Sequence, residues 1–121
     1  MNQAKVTVTL KSDSGRIKIS VWASSIEEAK EKVLRDQNAP LSAILSAKVE
    51  RPSIWDIKRL TAESSPYFFS RSTLRFFRQK VSDFSVYRNG PDSFVIAANS
   101  RGGNVTKRIF NPFTRTLEQP A

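Results

Sequence analysis

Two neighbouring stretches near the N-terminus alternate between apolar and polar residues, and they constrain the fold more than any other feature. In residues 5–10, valine and leucine alternate with threonine, and in residues 16–22, isoleucine and valine alternate with basic and hydroxyl side chains. A period of two residues puts every apolar side chain on one face of an extended strand. Residues 12–15 have the composition of a turn, so the two stretches predict a β-hairpin with one buried face. The basic side chains of its other face are Lys5, Lys11, Arg16 and Lys18.

A helix and a third strand follow the hairpin. Ser24 and Ser25 are each followed three residues later by a glutamate, Glu27 and Glu28, a spacing typical of the capping box that begins a helix. Asn38 can end that helix in the left-handed conformation, and Pro40 cannot continue it. The apolar residues of segment 44–50 predict a strand, so the first fifty-one residues predict a β-β-α-β unit.

The second half of the chain predicts two helices and then a sheet. Ser53 and Asp56 repeat the capping signal, which predicts a short helix from Ile54 to about Ala62. A second helix is expected from Ser70 or Ser72 to about Ser82. Strands are predicted at residues 84–88, 93–99 and 105–110.

The predicted fold is therefore α+β, with an N-terminal β-β-α-β unit followed by two helices and a three-stranded antiparallel meander. Asn111 and Pro112 are expected to end the last strand, and the chain from Thr114 onward is expected to fray. We expect two lobes, residues 1–51 and residues 52–121, with one continuous domain as the alternative.

Phenylalanine and arginine interleave in residues 65–83 as nowhere else in the chain. At 100° per residue, the expected helix has one apolar face, which we assign to the core: Leu74, Phe77, Val81 and Phe84. It also has an arginine stripe at spacings of four and three residues: Arg71, Arg75 and Arg78. Phe76 points away from both. In the preceding helix Trp55 lies off the apolar stripe. It either covers the junction of the two lobes or is a surface aromatic, and burial is the commoner fate of a tryptophan.

The arginine stripe is the strongest candidate for a binding site. The net charge is +9, from 20 Lys and Arg against 11 Asp and Glu, which makes a polyanion partner plausible. Planar guanidinium groups bind phosphates well. The basic residues of the expected hairpin could extend the patch: Arg101, Lys107 and Arg108. A solvated helix face is the alternative, and carboxylates of a partner protein would satisfy the same arginines.

Three aromatic residues precede the expected second helix: Tyr67, Phe68 and Phe69. Exposed aromatic rings beside arginines can stack on unpaired bases. Packing in the core is the commoner role of such rings in a small protein.

The composition argues against an enzyme. The chain contains no Cys and no His, which excludes disulfides, thiolate nucleophiles, Cys/His zinc sites and serine–histidine dyads. The acidic residues are scattered, and no phosphate-binding glycine loop is present. We therefore expect a protein without catalytic activity, cofactor or metal. Apolar runs of four or five residues are too short to span a membrane, and the N-terminus has no apolar core of a signal peptide.

The segment 67–78 resembles a group of small hypothetical proteins from bacteriophages and other mobile elements. Their shared pattern is an aromatic, Ser-Lys/Arg, a spacer, Thr-Met/Leu-Lys/Arg and Phe-Phe. The matching residues here are Phe69, Ser70, Arg71, Thr73, Leu74, Arg75, Phe76 and Phe77, with Val86, Tyr87 and Arg88 downstream. The resemblance covers the second half of the chain and does not reach residues 1–50. It implies a protein that acts in the cytoplasm of a bacterial host.

Together, charge and resemblance predict a non-enzymatic protein that binds nucleic acid, DNA or RNA, through the helical arginines. The alternative is a protein-interaction module, such as a phage-encoded inhibitor that docks on an acidic surface of a host protein.

Overall fold

The structure is a computed structural model that describes residues 2–64, 71–80, 83–99 and 103–120, without the side chains of residues 64, 71 and 72. The chain divides into two compact units, Met1–Glu50 and Arg51–Ala121.

The N-terminal unit is a three-stranded antiparallel sheet with one helix. Its elements are β1 (Ala4–Ser12), β2 (Gly15–Ala23), α1 (Ile26–Gln37), a 3₁₀ turn (Leu41–Ala43) and β3 (Ile44–Val49). The strand order is β2-β1-β3, so β1 is central, and β1 and β2 form the predicted hairpin. Alternation in β1 buries Val6 and Val8 completely on the face that α1 covers, where Ala29 and Val33 are also fully buried.

Both ends of α1 form as the sequence predicts. The hydroxyl of Ser25 accepts a hydrogen bond from the backbone N–H of Glu28 at 3.0 Å. The carboxylate of Glu28 turns to the hydroxyl of Ser24 and to Lys32, and these contacts, the Ser24 hydroxyl foremost, hold its pKa below the ordinary value. Asn38 ends the helix with φ 51°, in the left-handed region that asparagine tolerates.

The C-terminal unit has two helices and a four-stranded antiparallel sheet. Its elements are α2 (Ile54–Ser64), α3 (Arg71–Phe77), β4 (Phe84–Arg88), β5 (Phe94–Asn99), β6 (Val105–Asn111) and β7 (Thr116–Glu118), and the strand order is β4-β5-β6-β7. The predicted arrangement, a three-stranded meander with a frayed tail, is therefore wrong.

The segment that was expected to end the sheet is instead a turn. The side-chain oxygen of Asn111 accepts hydrogen bonds from the backbone N–H groups of Phe113 and Thr114, at 2.9 and 3.3 Å. The N–H of Arg115 donates to the carbonyl of Asn111 at 2.7 Å, with Arg115 at φ 58°. An asparagine that bonds its own backbone reverses the chain, so Leu117 returns opposite Phe110.

The second capping signal is confirmed in α2. The Ser53 hydroxyl accepts from the N–H of Asp56, and the Asp56 carboxylate accepts from the N–H of Ser53, each at 3.1 Å. The N–H of Ser53 is the main reason that the pKa of Asp56 lies below its ordinary value. The two groups satisfy each other's backbone donors, which is why the helix begins at Ile54.

The C-terminal core corrects the predicted face of α3. That helix ends at Phe77 and not near Ser82, and Phe84 belongs to β4. The side chain of Phe76 is only 3% exposed, whereas that of Leu74, which was predicted to lie in the core, is 42% exposed. The ring of Phe76 meets Phe84 edge-on at 5.3 Å. In a seven-residue helix, packing of adjacent rings sets the buried face, because no long stripe exists to set it. Val81 lies outside the described residues.

Trp55 corrects a further expectation. Its side chain is 65% exposed, and the ammonium group of Lys58 lies 5.1 Å from the ring centre. The buried apolar positions of α2 are Ile54 and Ile57, one residue before and two after Trp55, so the indole is turned away from the core.

Candidate nucleic-acid interface

Arg75 and Arg78 are exposed side by side at the end of α3. Arg75 lies in the last turn of the helix, and Arg78 lies in the turn that follows Phe77. The arginine stripe was predicted to run along one helix, but α3 ends at Phe77 and Arg78 lies beyond it. The backbone of Arg71 begins α3, while the Arg71 side chain and all of Arg101 lie outside the described residues.

Arg108 reaches α3 from the sheet. Alternation in β6 turns Arg108 to the same face as Phe110, which is fully buried in the core. The guanidinium carbon of Arg108 lies 5.4 Å from the ring centre of Phe76, and its Nη1 donates to the carbonyl of Lys107 at 2.8 Å. Arg108 therefore lies against Phe76, the residue that follows Arg75 in α3.

Lys107 does not join them. Its side chain alternates to the opposite face of the sheet from Arg108, and it is exposed there beside Ala97 of β5.

Two of the five acidic side chains of this unit, Asp56 and Glu63, lie against other cations. Glu63 accepts from Arg59 at 3.1 Å and from Arg115 at 2.8 Å, and Asp56 lies 3.8 Å from Arg59. Within the described part of the chain, no carboxylate lies within 4.0 Å of the cationic nitrogens of Arg75, Arg78 or Arg108. At these three side chains, a partner's anions would therefore displace no ion pair made within the described residues.

A second cation packs on aromatic rings next to Phe76. Lys58 of α2 lies 5.6 Å from the ring centre of Phe77 and 5.7 Å from that of Phe84, in addition to Trp55. Phe76 and Phe77 are 5.4 Å apart, so two cations flank one group of phenylalanines. The sequence analysis missed Lys58, although its position three residues after Trp55 on a helix predicts their contact.

Sequence analysis also placed no site residue in the N-terminal unit. There the basic outer face of the hairpin is extended by Lys48 of β3, which pairs with Thr7 of β1. The signal was available, because Lys48 lies between the buried residues Ala47 and Val49 and so must face the other side of the sheet.

Comparison with protein-family models, with curated proteins and with solved structures found no match. No helix in the described ranges is long and apolar enough to cross a membrane. The same ranges contain no group of three or more Asp or Glu side chains placed to hold a metal ion.

Proposed function

We propose that this protein binds nucleic acid without catalysing a reaction, and that it contacts backbone phosphates through arginines of the C-terminal unit. The observation that carries the proposal is that Arg75 and Arg78 are exposed at the end of α3, and that Arg108 packs on Phe76 of the same helix. Arg71, Arg101 and Lys107 remain further candidates from the sequence.

The charge of these groups suits phosphates. A guanidinium group is always ionised at neutral pH and presents a planar fork of donors to phosphate oxygens. Packing of Arg108 on Phe76 holds its position and reduces the conformational entropy that binding would otherwise remove. The net charge of +9 adds long-range attraction toward any polyanion.

The proposal predicts a definite salt dependence. Three phosphate contacts give a slope of log affinity against log salt of about −2.7 for duplex DNA, so affinity falls about 40-fold between ~50 and ~200 mM salt. Fluorescence anisotropy with a labelled duplex measures this slope directly. Absence of binding at ~50 mM salt refutes the proposed function, because the electrostatic attraction is strongest at low salt.

A charge-matched pair of variants tests the site. Arg75→Gln/Arg78→Gln removes two exposed cations, which should make the slope less steep by about 1.8. The control Arg35→Gln/Arg59→Gln removes the same net charge from two other exposed helical positions and should leave the slope nearly unchanged. Equal effects of the two double variants would mean that overall charge, and not this surface, binds DNA.

An acidic protein is the competing partner for these arginines. Carboxylates satisfy guanidinium groups in the same bidentate geometry as phosphates. Displacement of the duplex by polyglutamate at a lower concentration of charge than by unlabelled DNA would favour a protein partner over nucleic acid.

A further inference from the structure

The N-terminal sheet leaves one face uncovered by α1, and that face is strongly basic. Because side chains alternate along β1, the polar residues opposite the buried valines all point to this face. Its five cations come from all three strands: Lys5, Lys11, Arg16, Lys18 and Lys48. Glu50, next to the end of β3, is its acidic group.

Glu50 neutralises only one end of the face. Its carboxylate accepts from the hydroxyls of Thr7 and Ser20, at 3.1 and 3.0 Å, and lies 3.8 Å from the ammonium group of Lys5. Within residues 2–64 and the other described ranges, the remaining four cations have no carboxylate within 4.0 Å.

The placement of these cations does not stabilise the sheet. Lys11 and Arg16 are directly opposite each other on β1 and β2. Like charges in directly opposed positions destabilise an antiparallel pair, and opposite charges would stabilise it. A ligand that supplies negative charge would relieve this repulsion.

The same face contains an open hollow of about 510 Å³. The residues that line it include Thr9 of β1 and Ser46 of β3, which are paired in the sheet, and Thr9 is only 8% exposed. The cations that line it are Arg16, Lys18 and Lys48. Its volume is within the usual range for a small-molecule site, about 300–1,000 Å³, and a nucleotide belongs to that size class.

Trp22 provides an aromatic surface on this face. It lies opposite Lys5, at the other end of β2 from Arg16, and its side chain is 60% exposed. Trp22 is the sixth residue after Arg16 along β2, so the face is about 20 Å long. That length accommodates several nucleotides of an extended strand.

We propose that this face binds single-stranded nucleic acid, at a site separate from the arginines of the C-terminal unit. Phosphates contact Arg16, Lys18 and Lys48 around the hollow, and an unpaired base stacks on Trp22. Duplex DNA fits less well, because its major groove admits a helix or a two-stranded ribbon and its bases have no free face for an indole. The shared feature of single-strand binding surfaces is a basic groove with stacking aromatic rings.

Two single-tryptophan variants of the full chain test the stacking. The chain has two tryptophans, so Trp55→Phe leaves Trp22 as the only indole, and Trp22→Phe leaves Trp55. Titration with a ~12-nucleotide oligothymidylate should quench the fluorescence of Trp22 in the first variant. Quenching of Trp55 alone, or binding without quenching of Trp22, overturns the proposal.

A charge variant of the same face tests the phosphate contacts by anisotropy with the same oligonucleotide. Lys18→Gln/Lys48→Gln should weaken binding at least about tenfold and make the salt slope less steep by about 1.4, since each single-strand contact contributes about 0.7. Trp22→Ala should weaken it about 5- to 150-fold, the effect of losing one stacked base. Circular dichroism melts establish that each variant is folded.

The outcome separates this site from the proposed function. Arg75→Gln/Arg78→Gln should leave the quenching of Trp22 at saturating oligonucleotide unchanged, and Arg35→Gln/Arg59→Gln should weaken binding less than the Lys18/Lys48 variant. If Arg35→Gln/Arg59→Gln weakens single-strand binding as much as Lys18→Gln/Lys48→Gln does, this face is not the binding site. If duplex or polyglutamate binds this face as tightly as the oligothymidylate does, selectivity for single strands is refuted.

Discussion

Replacing Phe76 should destabilise the C-terminal unit far more than replacing Leu74, although helical periodicity assigns Leu74 to the core. The Phe76 ring is 3% exposed, packs against Phe77 and Phe84, and supports Arg108. The side chain of Leu74 is 42% exposed. The two residues are two positions apart in one short helix, so they form a matched pair for this test.

The expected difference follows from the buried area. A phenylalanine that buries about 150–250 Å² gains about 4–6 kcal/mol as an upper estimate. Truncation to alanine in cores typically costs about 3–5 kcal/mol, so we expect about 4 for Phe76→Ala. Full burial of leucine contributes about 1.5–3 kcal/mol, and with 42% exposure Leu74→Ala should cost about 1.

Urea unfolding in the Trp22→Phe background measures both variants, because Trp55 of α2 is then the only fluorophore and reports on the C-terminal unit. Phe76→Leu, expected to cost about 1–3 kcal/mol, serves if Phe76→Ala leaves too little folded protein for a baseline. A loss for Leu74→Ala equal to or greater than that for Phe76→Ala would refute the packing described for α3.

Two further substitutions test elements that the structure adds or explains. Leu117→Ala should lower the free energy of unfolding by about 1–3 kcal/mol, since Leu117 packs on the core from β7. The control Thr116→Ala, at the exposed neighbouring position, should change the free energy of unfolding by less than about 0.5 kcal/mol. Equal small effects of the two variants would mean that the tail is frayed. Asp56→Asn should destabilise by about 0.5–1.5 kcal/mol at pH 7. The pKa of Asp56 is lowered in the folded state, so its stabilisation is present above its ordinary pKa and is lost as pH falls below about 4. Unfolding of the two proteins at pH 7 and at pH 3 should therefore show the difference shrinking, and a constant difference would contradict the role of the carboxylate.

Signals confined to a few neighbouring residues predicted their structures well. The hairpin of β1 and β2 follows from alternation, and the starts of α1 and α2 follow from Ser25 and Ser53 with their acidic partners. These signals succeed because the hydrogen bonds that cap a helix are made within four residues of its first turn.

The candidate surfaces could be predicted only in part. Arg75 and Arg78 are exposed near each other because they are close in the chain. The placement of Arg108 against the same helix depends on its contact with Phe76, which lies 32 residues earlier in the chain. The basic face of the N-terminal sheet likewise needs the pairing of β3 with β1, which adds Lys48 to the cations of the hairpin.

The sequence by itself determined the chemistry available to this protein: a basic chain without His or Cys, two capped helices and strands with one apolar face. Tertiary structure alone decided that Phe76 and not Leu74 enters the core, and that β7 completes the second sheet. The physical reason is that periodicity indicates which faces of a helix or strand can be buried. Packing and strand register between distant segments then select the face that becomes buried.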